Sequence, residues 1–279
     1  TFLGYNPNGE SSLEYKKYWP ADVHLIGKDI LRFHTIYWPI MLHALNVDLP
    51  KQIFGHPWML FGNDKMSKSK GNIVYADDLV EKYGVDAVRF YMIHEMPFAS
   101  DGVYTEDLLI DTINSNLANV LGNLVNRTIG MANKYFSGVI ENSKVMEEVD
   151  NDLKNSILSL NKDIEEDIKK FRIADSLEKI IEAYRRCNKY IDETMPWVLA
   201  KDDSKQGRLK TVLYNLVEAI RIITVYLQAY LPETAEKIFT QINTDIKDYN
   251  STLQFGYYIS GTKVNTPEVL FKRIEKESN

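Results

Sequence analysis

The sequence predicts a mixed α/β first part, arranged as half of a doubly wound, Rossmann-like parallel sheet, followed by a small linking fold and an α-helical bundle. Three observations carry this. Apolar runs over 22–26 and 52–61 flank a helical pattern over 29–45, a strand–helix–strand order that suits a parallel sheet. Turn signals at Gly84, Pro97 and Asp101-Gly102 divide the next stretch into short pieces. From Thr105 onward apolar residues recur at helical spacing and strand signals fade.

Taken in order, Asp22 to Ile26 is a short strand closed by Gly27. Ile30, Phe33, His34, Tyr37, Trp38, Met41, Leu42 and Leu45 line a helix, which Pro39 should kink or break because it has no N–H to donate. Gln52 to Phe61 reads as one strand and Gly62-Asn63-Asp64 as a turn. Ala76 to Tyr83 and Asp86 to Met96 read as short helices, and Pro97 to Tyr104 as loop or strand. Thr105, followed by Glu106 and Asp107, caps a helix over 105–136. Further helices are expected at 150–170, 173–194, 207–230 and 232–243. Ser137-Gly138 and Asn151-Asp152 punctuate the first connection, and Pro196 and the stretch 201–207 the later ones. The tail 244–279 carries Phe255, Tyr257, Tyr258, Ile259, Val269, Leu270 and Phe271, enough apolar surface to dock on the bundle. The domain division expected is 1–75, 76–110 and 111–279.

Composition narrows the class. Of 279 residues, 44% are hydrophobic and 26% charged, ordinary for a soluble globular protein. No run of 18 apolar residues is present, so no membrane-spanning helix is expected. The start, Thr1-Phe2-Leu3-Gly4-Tyr5, has no secretory signal pattern and no initiator Met, so it need not be the natural beginning. The lone Cys187 rules out an internal disulfide and a Cys-based zinc site, which fits a cytoplasmic, reducing compartment. The net charge of −6 is uneven: residues 1–75 hold 8 Lys/Arg against 6 Asp/Glu, and the remainder 25 against 33. Any RNA contact must therefore come from local residues.

The most informative run is Lys65-Met66-Ser67-Lys68-Ser69-Lys70-Gly71-Asn72. Lysine ammonium groups alternating with hydroxyls suit a triphosphate and can follow charge building on leaving pyrophosphate. The plain alternative is a solvated surface loop. Gly27-Lys28-Asp29 stands where a strand turns into a helix, at the sheet edge that binds nucleotides. There Asp29 either accepts from ribose hydroxyls or simply caps the helix. His34 and Trp38 share one helix face and either wall a pocket for a thioether or pack in a core. Asn119, Asn123 and Arg127 form a polar stripe opposite Leu117, Val120, Leu121 and Leu124. Such residues read the edges of splayed RNA bases, or else form a solvated face. Pro196-Trp197 offers a fixed turn and an aromatic platform for stacking, or a core tryptophan.

Together these blocks, in order, resemble the methionyl-tRNA synthetases. Lys65 to Ser69 matches the signature loop of class I aminoacyl-tRNA synthetases. Tyr18 to Asp22, Gly27 to Pro39, Asp86 to Tyr91, Asn119 to Thr128 and Asn188 to Ala200 are similar to successive blocks of the bacterial methionine enzymes. The resemblance implies that Lys68, supported by Lys65, stabilises the transition state of adenylate formation. It implies that Asp29 contacts the ribose of ATP or of the adenylate, with Gly27, Lys28, Ser67 and Ser69 completing that site. The strand before the loop would lie along adenine, which nominates Met59. His34 and Trp38 would help form the methionine pocket. Asn119, Asn123, Arg127, Pro196 and Trp197 would read a CAU anticodon.

The implied reaction is methionine plus ATP to methionyl-adenylate, then transfer to the methionine tRNA, with Mg²⁺ carried by the ATP phosphates and no metal held by this chain. Departures matter as well. The family's His-Ile-Gly-His phosphate motif, its Cys-rich zinc knuckles, the Trp-containing segment of the methionine pocket and a C-terminal tRNA-binding β-barrel do not occur here. The resemblance therefore implies the C-terminal half of the enzyme, partnered by an N-terminal half. The rival reading is a non-catalytic anticodon-binding fragment or truncated paralogue. A generic nucleotide-binding α/β protein with a helical partner domain leaves the stripe and the Pro-Trp pair unexplained.

Overall fold

A short helix, α1 (Leu13–Tyr18), capped by the Ser12 hydroxyl accepting from the Tyr15 N–H, leads into two parallel strands. The structure, a computed structural model, describes residues 2–62, 64–65 and 73–276. Strands β1 (His24–Gly27) and β2 (Ile53–His56) pair in register from His24↔Ile53 to Gly27↔His56. Parallel neighbours need a crossover. It consists of a 3₁₀ turn (Lys28–Ile30), a π turn (Phe33–Tyr37) and α2 (Trp38–Ala44). The break expected at Pro39 takes the form of that π turn: the Trp38 N–H reaches back five residues to the Phe33 carbonyl, and Pro39 has no N–H to continue the ladder.

The apolar run from Gln52 to Phe61 is not one strand, contrary to expectation. Pro57 interrupts it, and the next residue turns its backbone elsewhere: the Trp58 N–H donates to Asp101 Oδ1 (2.9 Å) and its carbonyl accepts from the Gly102 N–H (2.8 Å). The run splits into β2 and β3 (Met59–Phe61). Strand β3 belongs to a second sheet, antiparallel to β4 (Asp64–Lys65) and parallel to β5 (Gly102–Tyr104). Helices α3 (Ala76–Tyr83) and α4 (Val85–His94) meet at Gly84, whose φ of +85° only glycine adopts freely.

The bundle begins with α5 (Glu106–Thr112), capped by Thr105, whose hydroxyl accepts from Leu108 N–H (3.1 Å). The helix expected over 105–136 is continuous but not uniformly α. A π stretch (Ile113–Gly122) separates α5 from α6 (Asn123–Phe136). Two long antiparallel helices follow, α7 (Glu148–Lys169) and α8 (Ile173–Thr194). Asn151 and Asp152 lie inside α7 instead of before it. The actual cap is Glu147, in a capping box whose Asp150 carboxylate accepts the Glu147 N–H (2.9 Å). A single turn, α9 (Pro196–Leu199), precedes α10 (Gln206–Leu227) and α11 (Pro232–Ile242). Helix α10 is buried on all sides from Leu209 through Leu227 apart from half-buried Lys210, so it forms the bundle axis.

The tail closes on the bundle through Tyr258, whose hydroxyl donates to the Ile242 carbonyl (2.6 Å). A short ladder pairs β6 (Val139–Ile140) with β7 (Thr262–Lys263). Asn114 and Ile274 exchange two hydrogen bonds of 2.8 Å. Tyr257, Ile259 and Val269 stay exposed, so they do not share in the docking. Helix α4 is pinned to the far end of the bundle: Arg89 donates to the Tyr230 and Ala229 carbonyls, and Asp86 accepts the Thr234 N–H (2.6 Å) at the start of α11. Among the described residues no helix is long and apolar enough to cross a membrane.

Candidate functional site

The carboxyl end of β1 delivers Gly27 into the Lys28–Ile30 turn, and Asp29 projects there as an exposed side chain. No side-chain cap bond forms at this turn, so Asp29 is not spent on capping. A Cβ on residue 27 would stand 2.5 Å from Asp29 Oδ1, so glycine leaves room for that carboxylate over the turn. Lys28 ion-pairs with Asp101, and its ammonium sits 4.3 Å from the centroid of the Trp58 ring. The Lys28 ammonium first, and the Trp58 N–H with it, hold the Asp101 carboxyl below the usual carboxylate range. Met59 follows directly in β3, half-buried. Beyond it the β3–β4 hairpin pairs Leu60 with Lys65 and so sets the base of the lysine run. Ser67, Lys68 and Ser69 lie outside the described residues.

His34 and Trp38 do come together, around a residue that the sequence did not nominate. The Trp38 indole N–H donates to His24 Nε2 (3.1 Å), which places the His24 proton on the other ring nitrogen. The His24 ring is 6.2 Å from that of His34 and 6.0 Å from that of Trp19, and Trp19 stacks edge-on to Trp38 at 6.2 Å. His34 is oriented by its Nδ1, 3.1 Å from the Ile30 carbonyl. Beside Trp38 opens a cavity of about 210 Å³ lined by Tyr5, Trp19, Leu42 and Leu45 among others. Two histidines and two tryptophans thus form one half-buried aromatic wall. A signal for His24 existed in its place on the strand, but its partner was visible only in three dimensions.

On the bundle, Asn119 and Asn123 are exposed and Arg127 is half-buried, while Leu117, Leu121 and Leu124 face the core. Val120 is half-buried and belongs only partly to the apolar side. Its carbonyl accepts from Asn188 Nδ2 (3.1 Å), which ties the π stretch to α8. Arg127 Nη2 lies 3.9 Å from Asp192 Oδ1, in the last turn of α8. The end is abrupt: Met195 adopts φ +42° and Pro196 starts α9. Pro196 is buried, whereas Trp197 is 40% exposed and next to exposed Val198. The polar stripe, far from the Pro-Trp turn in sequence, therefore runs along α8 with Arg127 nearest the end that the turn follows. Cys187, in the middle of α8, is fully buried and its thiol is pushed up to about 12 by burial, which makes it unreactive.

Residues 3–129 match the family model described as tRNA synthetases class I (M), and residues 140–279 match the anticodon binding domain of methionyl tRNA ligase. The chain belongs to the methionyl-tRNA synthetase family. It is 52% identical over 275 residues to the methionine–tRNA ligase of Clostridium acetobutylicum, covering 99% of this chain and 42% of that protein. The Bacillus subtilis methionine–tRNA ligase is 48% identical over 281 residues, again covering 99% of this chain and 42% of its own length. The fold is similar to that of Mycobacterium tuberculosis methionyl-tRNA synthetase bound by methionyl-adenylate, with a TM-score of 0.87 at 34% identity, covering 94% of this chain and 52% of that one. The chain thus spans less than half the length of these curated relatives. The architecture is the class that the sequence predicts: a piece of parallel α/β sheet joined to a helical bundle.

Proposed function

We propose that this chain forms the signature-loop side of the active site and the anticodon reader of a methionine–tRNA ligase, which couples methionine to its tRNA through methionyl-adenylate. In this reading Asp29 binds the ribose, and Met59 in β3 passes along adenine. The His34–His24–Trp38 wall receives the methionine thioether, whose sulfur makes favourable contacts with ring edges. Mg²⁺ arrives with the ATP phosphates. Lys65 and Lys68 meet those phosphates as charge builds on the leaving group. The division into a nucleotide part over 1–75, a linking fold over 76–110 and an anticodon part over 111–279 assigns each task to its own segment.

The observation that carries the anticodon assignment is the placement of Arg127 beside Asp192. It brings the half-buried Arg127, at the end of a stripe whose Asn119 and Asn123 are exposed, to the last turn of α8, five residues before the exposed Trp197. Unpaired loop bases are read by such a pairing of amide and guanidinium edges with a stacking platform. Trp197→Ala is expected to weaken binding of the methionine tRNA by about 1–3 kcal/mol, one stacked base, with melting temperature and ATP–pyrophosphate exchange in the intact enzyme preserved. Unchanged affinity for a CAU anticodon, or a marked loss of melting temperature, would remove Trp197 from the interface.

The 279-residue chain by itself is expected to bind that tRNA but to give no methionine-dependent ATP–pyrophosphate exchange. Its sequence has no His-Ile-Gly-His motif to cradle phosphate, and ATP must be held in line with the attacking carboxylate for the reaction to proceed. Exchange by the purified chain would refute this.

A further inference from the structure

The two parts of the nucleotide site stand on different sheets. Asp29 rides on the β1–β2 sheet, while Met59 and the base of the lysine run belong to the β4–β3–β5 sheet. Among the described residues no ladder joins the two sheets. Their connection at this point is made by a side chain from a third segment. Asp101 Oδ1 accepts both from the Lys28 ammonium and from the Trp58 backbone N–H. Lys28 lies immediately before Asp29, and Trp58 immediately before Met59.

The clasp is half-buried and is bracketed by aromatic and backbone groups. The Lys28 ammonium has the Asp101 carboxylate on one side and the Trp58 ring face on the other. The residue after Asp101 is Gly102, where a Cβ would run into the Glu95 carbonyl, so the chain can approach closely enough to pair Gly102 with Met59. The Gly102 N–H also donates to the Trp58 carbonyl (2.8 Å), so the backbone around Trp58 is held by residues 101 and 102 together.

We propose that Asp101 is a positioning residue for adenylate formation, and that Lys28 acts through its ion pair with Asp101 and not as a phosphate ligand. By gripping Lys28 and the Trp58 N–H with one oxygen, Asp101 fixes the ribose-binding turn relative to the strand that feeds the lysine loop. Small misplacements between reacting groups cost rate far more than they cost binding. The inference rests on the ligase reading above, since it needs adenylate formation as its reaction.

The test is methionine-dependent ATP–pyrophosphate exchange in the intact enzyme, comparing wild type with Asp101→Asn, Lys28→Met and the double variant. Asparagine keeps an acceptor for the Trp58 N–H but has no charge for Lys28. Asp101→Asn is expected to lower kcat by about tenfold with the KM for methionine unchanged, and with no shift in melting temperature. Because both residues act through one contact, the double variant should be no slower than the slower single variant. A wild-type rate for Asp101→Asn overturns the proposal. So does a loss that multiplies in the double variant, or one accompanied by a fall in melting temperature or a rise in the methionine KM. If the wild-type enzyme shows no methionine-dependent exchange, the ligase reading itself has failed; an active wild type with an indifferent Asp101→Asn sinks only the positioning role.

Discussion

Lys68→Ala is expected to slow methionyl-adenylate formation by about 10²–10³-fold in the intact enzyme, the effect of losing one preorganised donor to developing charge, while methionine affinity hardly changes. The position follows from the run that contains it. Lys65 in β4 is paired with Leu60 of β3, the residue after Met59, so the base of the run stands beside the strand proposed to pass along adenine. In the proposed assignment the His34–Trp38 wall holds the amino acid and Lys68 meets phosphate. The kinetic signature is therefore a fall in kcat with the KM for methionine unmoved, the pattern of an interaction made only in the transition state. Lys68→Arg keeps the charge and changes its shape from a point to a planar fork, so partial recovery is expected. Single-turnover adenylate formation measures this directly. A variant that binds methionine poorly yet reacts at the normal rate would show that the loop serves the amino acid instead.

What could be read from the sequence was whatever depends on near neighbours. Helix α8 was legible from Ile173 to Thr194 because its apolar spacing is unbroken and Pro196 stops it. The two strands inside Gln52 to Phe61 were not, because a short apolar run looks the same whether or not it changes sheets at Pro57. The π stretches escaped for a similar reason. One extra residue per turn barely alters which side chains are apolar, so a 3.6-residue pattern still fits. The site divides in the same way. His34 and Trp38 are one turn apart and could be paired on paper, whereas His24 reaches Trp38 from a neighbouring strand. Asp101 was visible only as half of a turn signal, since Lys28, which gives it meaning, is distant in the chain. Asp192 was likewise silent until α8 was laid beside α6.

The largest stability effect should come from a residue that no reading of the reaction uses. Glu218→Ala is expected to cost about 3–5 kcal/mol, the range for removing one partner of a buried ion pair. On sequence alone, Glu218 and Arg221 are an ordinary pair three residues apart on a helix, worth a few tenths of a kcal/mol when exposed. In the fold both side chains are completely buried. The Arg221 guanidinium donates to Glu218 through Nε (2.7 Å) and Nη2 (3.0 Å), and gives its other bonds to Ser251 and the Ile246 carbonyl. The Glu218 carboxylate also accepts the backbone N–H groups of Gly256, Tyr257 and Tyr258 (2.7, 2.9 and 3.1 Å). Removing it strands a buried cation, the buried Tyr258 N–H and the part-buried N–H groups of Gly256 and Tyr257 at once, and a polar group left unpaired away from water costs free energy. The loss should be local in its first expression. Residues 246–258 are held to α10 by this pair, so the loop should become sensitive to protease before the bundle unfolds. Replacing both charges by apolar residues, Glu218→Leu with Arg221→Met, removes the stranded cation but not the three orphaned N–H groups. The double variant should therefore recover only part of the loss, whereas full recovery in urea melts would mean that the carboxylate's hold on the loop contributes nothing.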